Sequence, residues 1–238
     1  MENNSLHALS HSLDLLKDTY NYNHWIYSLM RRYHGREVCE IGAGIGNLTQ
    51  FFLNAARVLC VEPEEEYCSA LRQLAAVHLN VEIFKGGLAE CARVSGLART
   101  FDTVVCVNVL EHIEHDAEAV GLMRSLLKKG GRILLYVPAA PWAFGELDRC
   151  LGHYRRYSKR MVRALALASG MELERCIYVN FAGSFGWFLH ARVFSRKVIE
   201  PKSARIVDRL VPFISAVERL LPPITGQSIF AVLREQGA

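Results

Sequence analysis

The stretch "VCEIGAGIGN" narrows the folds open to this chain more than any other. An apolar run that reads as a buried strand ends in glycines at alternate positions, Gly42, Gly44 and Gly46, and a helical pattern follows. Glycine lets a backbone turn sharply and approach another group closely. The same strand–helix unit then repeats. "REVCEI", "RVLCVE", "VEIFKG", "FDTVVCVNV" and "RILLYVP" read as strands; "NLTQFFLNAA", "EEEYCSALRQLAA" and "DAEAVGLMRSLLK" read as the helices between them. Strands of near-continuous apolar character alternating with helices argue for a parallel sheet covered on both faces. "QSIFAVLRE" reads as a last strand, and "KKGG" as the stop of the helix before "RILLYVP".

The remaining chain sorts around that core. Residues 6–34 read as helical, with aromatics gathered in "TYNYNHWIY"; residues 180–222 read as mostly helical, broken at Pro201, Pro212 and Pro222–Pro223. No repeat and no linker divides the chain. The reading is one domain over 1–238: a helical lid (1–35), a ligand-binding core (36–138), cap insertions (139–160 and 180–223) and a last strand (224–238). A length of 238 residues with 51% hydrophobic content suits one large core. The net charge of +4 is mild; it allows an anionic ligand and does not call for nucleic acid. Seven cysteines form no C-x-x-C pair, which predicts free thiols and a reducing, cytosolic setting. The N-terminus is polar, without an apolar signal region. "IYVNFAGSFGWFL" is too short to span a bilayer.

Glu62 ends the second strand and is expected beside the glycine loop, at the point where strand order reverses. A carboxylate there can accept both hydroxyl hydrogens of a ribose. A dinucleotide site wants a third glycine at position 47, where this chain has Asn47. A tight turn with no ligand is the other reading of the loop alone.

Glycines at 42, 44 and 46 preceded by Glu40 resemble motif I of the class I S-adenosylmethionine-dependent methyltransferases. "FDTVVCVNVLEHIEHD" resembles that family's fourth motif, and "LKKGGRILLYVP" its helix, turn and fifth strand; together they cover about residues 36–138. The resemblance implies an α/β fold: a seven-stranded, mostly parallel, doubly wound sheet whose last strand is antiparallel. It implies S-adenosyl-L-methionine as cofactor, with S-adenosyl-L-homocysteine as product. It also implies roles by position. Glu40, Gly42, Ala43 and Gly44 would lie near the methionine part, Glu62 on the ribose, and Pro63 by the adenine. Asn108 and Val109 would line the sulfonium end. Gly87 stands where the family often has an acid for the adenine, which leaves the Leu88 backbone for that contact.

For acid–base chemistry the candidates are His112, just past the fourth strand, and His153. A histidine that merely caps the next helix is the alternative for His112, and His115 and Asp116 are read as opening that helix. "HIEH" places two imidazoles three apart, as a metal site does, but no Cys or Asp cluster joins them in the sequence, and no metal is assigned. "GHYRRYSK" and the turn before it leave the fifth strand on the ligand side of the sheet, and the pattern resembles that of a methyltransferase subgroup paired with bacterial glycan and secondary-metabolite pathways. Arg155 and Arg156 offer forked donors for an anion. Trp142, Tyr154 and Tyr157 offer flat walls, and Ser158 caps the following helix. An internal network of Asp148 with one arginine is the competing role for the pair. Tyr20, Tyr22 and Trp25 are expected to wall the pocket from the lid; core packing of that helix is the alternative, and the preferred one for Trp25. The apolar, then basic, stretch 180–200 suits a cap helix, or contact with an anionic bilayer and a lipid-linked acceptor.

Four functions follow as expectations: methyl transfer to a small, anionic or glycan- or lipid-linked metabolite on an unassigned O, N or C atom; RNA methylation, against which the scattered basic residues argue; a non-catalytic protein that binds the cofactor; and a nicotinamide oxidoreductase, against which Asn47 argues. The sequence sets no oligomeric state.

Overall fold

The computed structural model describes residues 19–183 and 201–236, and for 201–206 the backbone alone. Seven strands form one sheet: β1 (Glu37–Ile41), β2 (Arg57–Glu62), β3 (Val81–Lys85), β4 (Phe101–Val107), β5 (Leu127–Pro138), β6 (Met171–Val179) and β7 (Ser228–Glu235). Their order is β3-β2-β1-β4-β5-β7-β6, and β7 runs antiparallel to both neighbours. Around it lie α1 (Tyr20–Met30), α2 (Glu65–Val77), α3 (Leu88–Cys91), α4 (Asp116–Leu126), α5 (Glu146–Cys150), α6 (Lys159–Ala168) and α7 (Pro201–Leu220). The expected α/β architecture, with its antiparallel last strand, is present.

The apolar runs are continuous because successive side chains serve opposite faces. In β1, Cys39 and Ile41 join the core with Val120, Met123 and Val162, under α4 and α6. Val38 joins the other core with Trp25, Ile26, Leu71 and Val211, from α1, α2 and α7. β1 pairs in parallel with both β2 and β4, so its C-terminal end lies between theirs. That edge carries the site.

The segment after the glycine loop is not the regular helix expected over 47–56. It tightens into a 3-10 turn, Thr49–Phe51, with Phe51 N–H to Leu48 O and Phe52 N–H to Thr49 O. A β-branched residue and two aromatics in a row are poor helix formers, and the Thr49 hydroxyl is drawn into the core by Glu40, 2.7 Å away. The Asn80 side-chain amide then donates to the carbonyls of Leu53 and Ala55, which a helix would have used. "KKGG" lies within β5, as an irregularity opposite Phe101–Thr103, and does not end the helix before it. β6, unassigned as a segment in the sequence, is the edge strand beyond β7.

α7 passes through Pro212, where a break is expected. Proline cannot donate to the carbonyl four residues back, which is that of Asp208. Asn21 Nδ2 donates to that carbonyl instead, at 3.2 Å. The same residue caps α1, because Asp208 Oδ2 and Oδ1 accept from the N–H groups of Asn21 and Tyr22. A carboxylate on the first free N–H groups of a helix also suits its dipole. α1 is thus fastened to α7, and the expected lid over 1–35 is described here only from Thr19 onward. Ser158 caps α6 as expected, accepting from Met161 N–H.

Candidate active site

The glycine loop leaves β1 with Gly42 at φ +69° and Gly44 at φ +55°, a region open mainly to glycine. A Cβ on Gly42 would come within 2.3 Å of Val109 Cγ2. The loop therefore lies against the turn that follows β4. Asn108 itself is left-handed, φ +51°, a conformation asparagine tolerates better than most residues. It is exposed, while Val109 turns back beneath Gly42.

Glu62 is held from two sides. Gly44 N–H donates to Oε2 at 2.8 Å, and Glu64 N–H donates to Oε1 at 3.0 Å. Burial raises its pKa while those two bonds oppose the rise. An ionised carboxylate has about four acceptor positions, so two remain after these bonds. Pro63 beside it is exposed. Gly87 begins α3, and Glu90 reaches back to accept from Gly87 N–H at 2.7 Å. The Leu88 side chain is buried in the core, which leaves its backbone for any ligand contact.

Glu40 is buried at 4% exposure and accepts from Thr49 Oγ1. Burial pushes its pKa from 4.5 up to about 8; the Thr49 bond opposes this and the nearby Glu62 charge adds to it. A folded-state pKa above the unfolded one means the folded protein holds this proton more tightly. Its stabilising contribution is full below about pH 4.5, falls as pH rises, and is gone above about pH 8. The ligand-free protein should lose on the order of a few kcal/mol of stability across that window. Thermal melts from pH 5 to 8.5 should show a falling midpoint, and Glu40→Gln should flatten the slope. An unchanged slope in the variant contradicts this assignment.

The cap segment meets the turn after β4. Tyr154 N–H donates to Glu111 O at 2.8 Å, and Tyr157 N–H donates to Pro138 O at 2.7 Å. In place of substrate contact, Arg156 turns inward: it is 4% exposed, with Nε donating to Asp148 Oδ1 at 2.8 Å and Nη1 to Ala139 O at 3.3 Å. Tyr157 is 1% exposed, and its hydroxyl donates to Leu110 O and Asp116 Oδ2. Arg155 pairs with Asp116 at 2.8 Å and donates to Glu114 O. The side chains proposed for an anion are thus committed to fastening the cap, because a buried guanidinium or carboxylate must be paired. Tyr154 and Trp142 are exposed.

Asp148 also holds His153. Burial pushes the Asp148 carboxyl up, but the His153 bond and the Arg156 charge and bond outweigh it, so its pKa lies below the ordinary value. His153 Nδ1 lies 3.0 Å from Asp148 Oδ1, leaving Nε2 free. The His112 ring stands nearly perpendicular to it, with centroids 4.7 Å apart. Burial, then the charge of His153, lowers the pKa of His112 to about 4, so it is neutral at pH 7. Glu111, not singled out as a site residue in the sequence, is 1% exposed, and burial raises its pKa to about 8. The only signal for it was an acid inside the apolar "NVLEHI".

On the lid side, Trp25 is core. Tyr22 is half-buried, its hydroxyl 3.1 Å from that of Tyr136, so it joins a polar network rather than standing free. Tyr20 is exposed and packs on Phe51.

Residues 39–133 match the sequence model of a methyltransferase domain family. The malonyl-[acyl-carrier protein] O-methyltransferase of Halalkalibacterium halodurans is 29% identical over 115 residues. That alignment covers 47% of this chain and 42% of the relative, so the chain matches less than half the relative's length. The 1,6-didemethyltoxoflavin-N1-methyltransferase of Burkholderia thailandensis, solved with 1,6-didemethyltoxoflavin and S-adenosylhomocysteine, superposes with a TM-score of 0.63. It is 16% identical, with 98% of this chain and 87% of that one covered. An S-adenosylmethionine dependent methyltransferase from Mesorhizobium loti gives 0.60 at 14% identity, over 88% and 95% of the two chains. Identities this low establish the fold alone. The chain has the fold of these solved methyltransferases, and residues 39–133 within it are similar to a methyltransferase domain.

Proposed function

We propose that this domain transfers a methyl group from S-adenosyl-L-methionine to a small acceptor presented under the cap, and that the acceptor is lipid-linked. The anchored carboxylate of Glu62 carries the first part. It stands at the end of β2, tied to the glycine loop through Gly44, with acceptor positions left for two ribose hydroxyls. When bound, S-adenosyl-L-methionine supplies a methyl group already activated on a sulfonium. The chain's task is then to orient an acceptor atom along the S–CH3 bond and to keep water out. Glu62 would hold the ribose, with Glu40 and the Gly42–Gly44 backbone near the methionine part. Pro63, Gly87 and the Leu88 backbone would border the adenine, and Asn108 and Val109 the methyl-bearing end. His112 and His153, on the next turn and on the cap, are the groups that meet the acceptor. Exposed Tyr154, next to His153, and exposed Trp142 would wall the acceptor from the cap, and exposed Tyr20 from the lid.

Support for a lipid-linked acceptor comes from α7. Val207, Leu210, Phe213, Val217 and Leu220 are all exposed along it. Both described acids of this helix point inward and are used: Asp208 on α1, and Glu218 on the N–H groups of Asn180 and Phe181. The outer face is left apolar and flanked by exposed Arg209 and Arg219, which suits an anionic bilayer surface. No helix among the described residues is long and apolar enough to cross a membrane. The stretch 180–200, also read as suited to a bilayer, lies mostly outside the described residues. All seven cysteines are free thiols, which supports a reducing, cytoplasmic setting.

Labelled methyl donor incubated with a total lipid extract, a water-soluble metabolite extract and an RNA pool tests the reading. Label is expected in the lipid fraction. Label in water-soluble metabolites alone contradicts the lipid link, and label in RNA contradicts the acceptor class.

A further inference from the structure

Glu111, His112 and His153 each offer a ligand atom, and these atoms lie within 4.8 Å of one another. They come from two elements, the turn after β4 and the loop after α5, clamped by the bond from Tyr154 N–H to Glu111 O. Glu111 is almost wholly buried, yet its Oε2 has no hydrogen-bond partner. A buried carboxylate oxygen without a partner is costly, and such a group calls for an explanation. The Arg156 charge favours the ionised Glu111, but no hydrogen bond reaches that oxygen, and Arg156 Nε is given to Asp148.

Both imidazoles are already oriented. The Nδ1 of His153 is held by Asp148. The Nδ1 edge of His112 lies against Gly152, where a Cβ would sit 3.8 Å away, and the Gly152 backbone bonds the ring. Fixing one nitrogen by a carboxylate or a backbone group leaves the other free to ligate, the arrangement found behind metal-bound histidines.

We propose that Glu111, His112 and His153 bind a divalent transition-metal ion, Zn2+ foremost, with Asp148 positioning the His153 ring. Two nitrogens and one carboxylate suit Zn2+ and its neighbours rather than Mg2+ or Ca2+, which take oxygen sets. Bonds of about 2.1 Å require donors roughly 3.4 Å apart, so closing around the ion takes a contraction of up to about 1.4 Å. Three protein ligands leave a position open, as in catalytic sites. Resting on the methyl-transfer reading, a bound ion would offer that position to a hydroxyl oxygen of the acceptor and make the hydroxyl more acidic. The hydroxyl proton would leave to solvent as the oxygen's electron pair takes the methyl group, and the S–CH3 bonding pair would stay on sulfur as a neutral thioether.

Chelator-treated protein titrated with Co2+ and followed by visible absorption should take up one ion per chain, with the intense bands of a low-coordinate site, and Zn2+ should displace it. His112→Ala and His153→Ala should each remove that stoichiometric uptake. Glu62→Ala should keep the Co2+ bands while losing S-adenosylhomocysteine binding, so the metal and cofactor assignments fail separately. Absence of bands in the wild type overturns the proposal, as do unchanged bands in the His112→Ala/His153→Ala double variant. Should the variants fold poorly, the zinc content of wild-type protein after loading and desalting decides, and anything well below one equivalent overturns it.

Discussion

Arg156→Ala is expected to destabilise the protein by about 3–5 kcal/mol, lowering the melting temperature by roughly 6–20 °C. The cost arises because Asp148 is fully buried, and Arg156 is the cation beside it. Removing the guanidinium leaves that carboxylate to Gly145 N–H and to His153, and frees the carbonyl of Ala139. Lysine should rescue little, because a point charge cannot serve Asp148 and the Ala139 carbonyl with one fork. The adjacent Arg155 gives the contrast. Its pair with Asp116 is partly solvated, with side chains 25% and 20% exposed, so Arg155→Ala should cost about 1 kcal/mol or less. Urea or thermal melts of the two variants check this. Equal losses would show that the Asp148 network does not hold the cap.

That pair of arginines also marks a limit of sequence reading. "GHYRRYSK" shows forked donors on the ligand side of a sheet, and nothing in the letters says which way each points. Direction was set by Asp148 and Asp116, eight residues before Arg156 and thirty-nine before Arg155, brought in by tertiary folding. The core strands were legible because burial on both faces makes them unbroken apolar runs. Glu62 was legible because its place follows from where β2 ends beside the glycine loop. Pro212 misled for a physical reason: the carbonyl it strands is served by Asn21, nearly two hundred residues away. The helix expected over 47–56 was lost to contacts from Glu40 and Asn80, which local propensity does not see. The cluster of Glu111, His112 and His153 was half visible. "HIEH" showed His112, and His115 opens α4 as expected, while His153 arrives from the cap by tertiary folding that no spacing in the letters signals.

Glu62→Ala should weaken S-adenosylhomocysteine binding by about 2–4 kcal/mol, roughly 30- to 1,000-fold. On the proposed reading the variant would remove two charge-assisted bonds to the ribose, and it also frees the Gly44 and Glu64 N–H groups that Glu62 holds. The two freed N–H groups should cost about 1 kcal/mol of stability, a modest loss because burial also raises the cost of the Glu62 charge. Loss of binding with only a small fall in melting temperature is therefore the expected pairing. Isothermal calorimetry of S-adenosylhomocysteine against wild-type and Glu62→Ala protein puts the whole account to its most direct trial. Tight one-to-one binding that largely vanishes in the variant is predicted. Equal affinity in both proteins, or heat from a nicotinamide dinucleotide but none from S-adenosylhomocysteine, would contradict it.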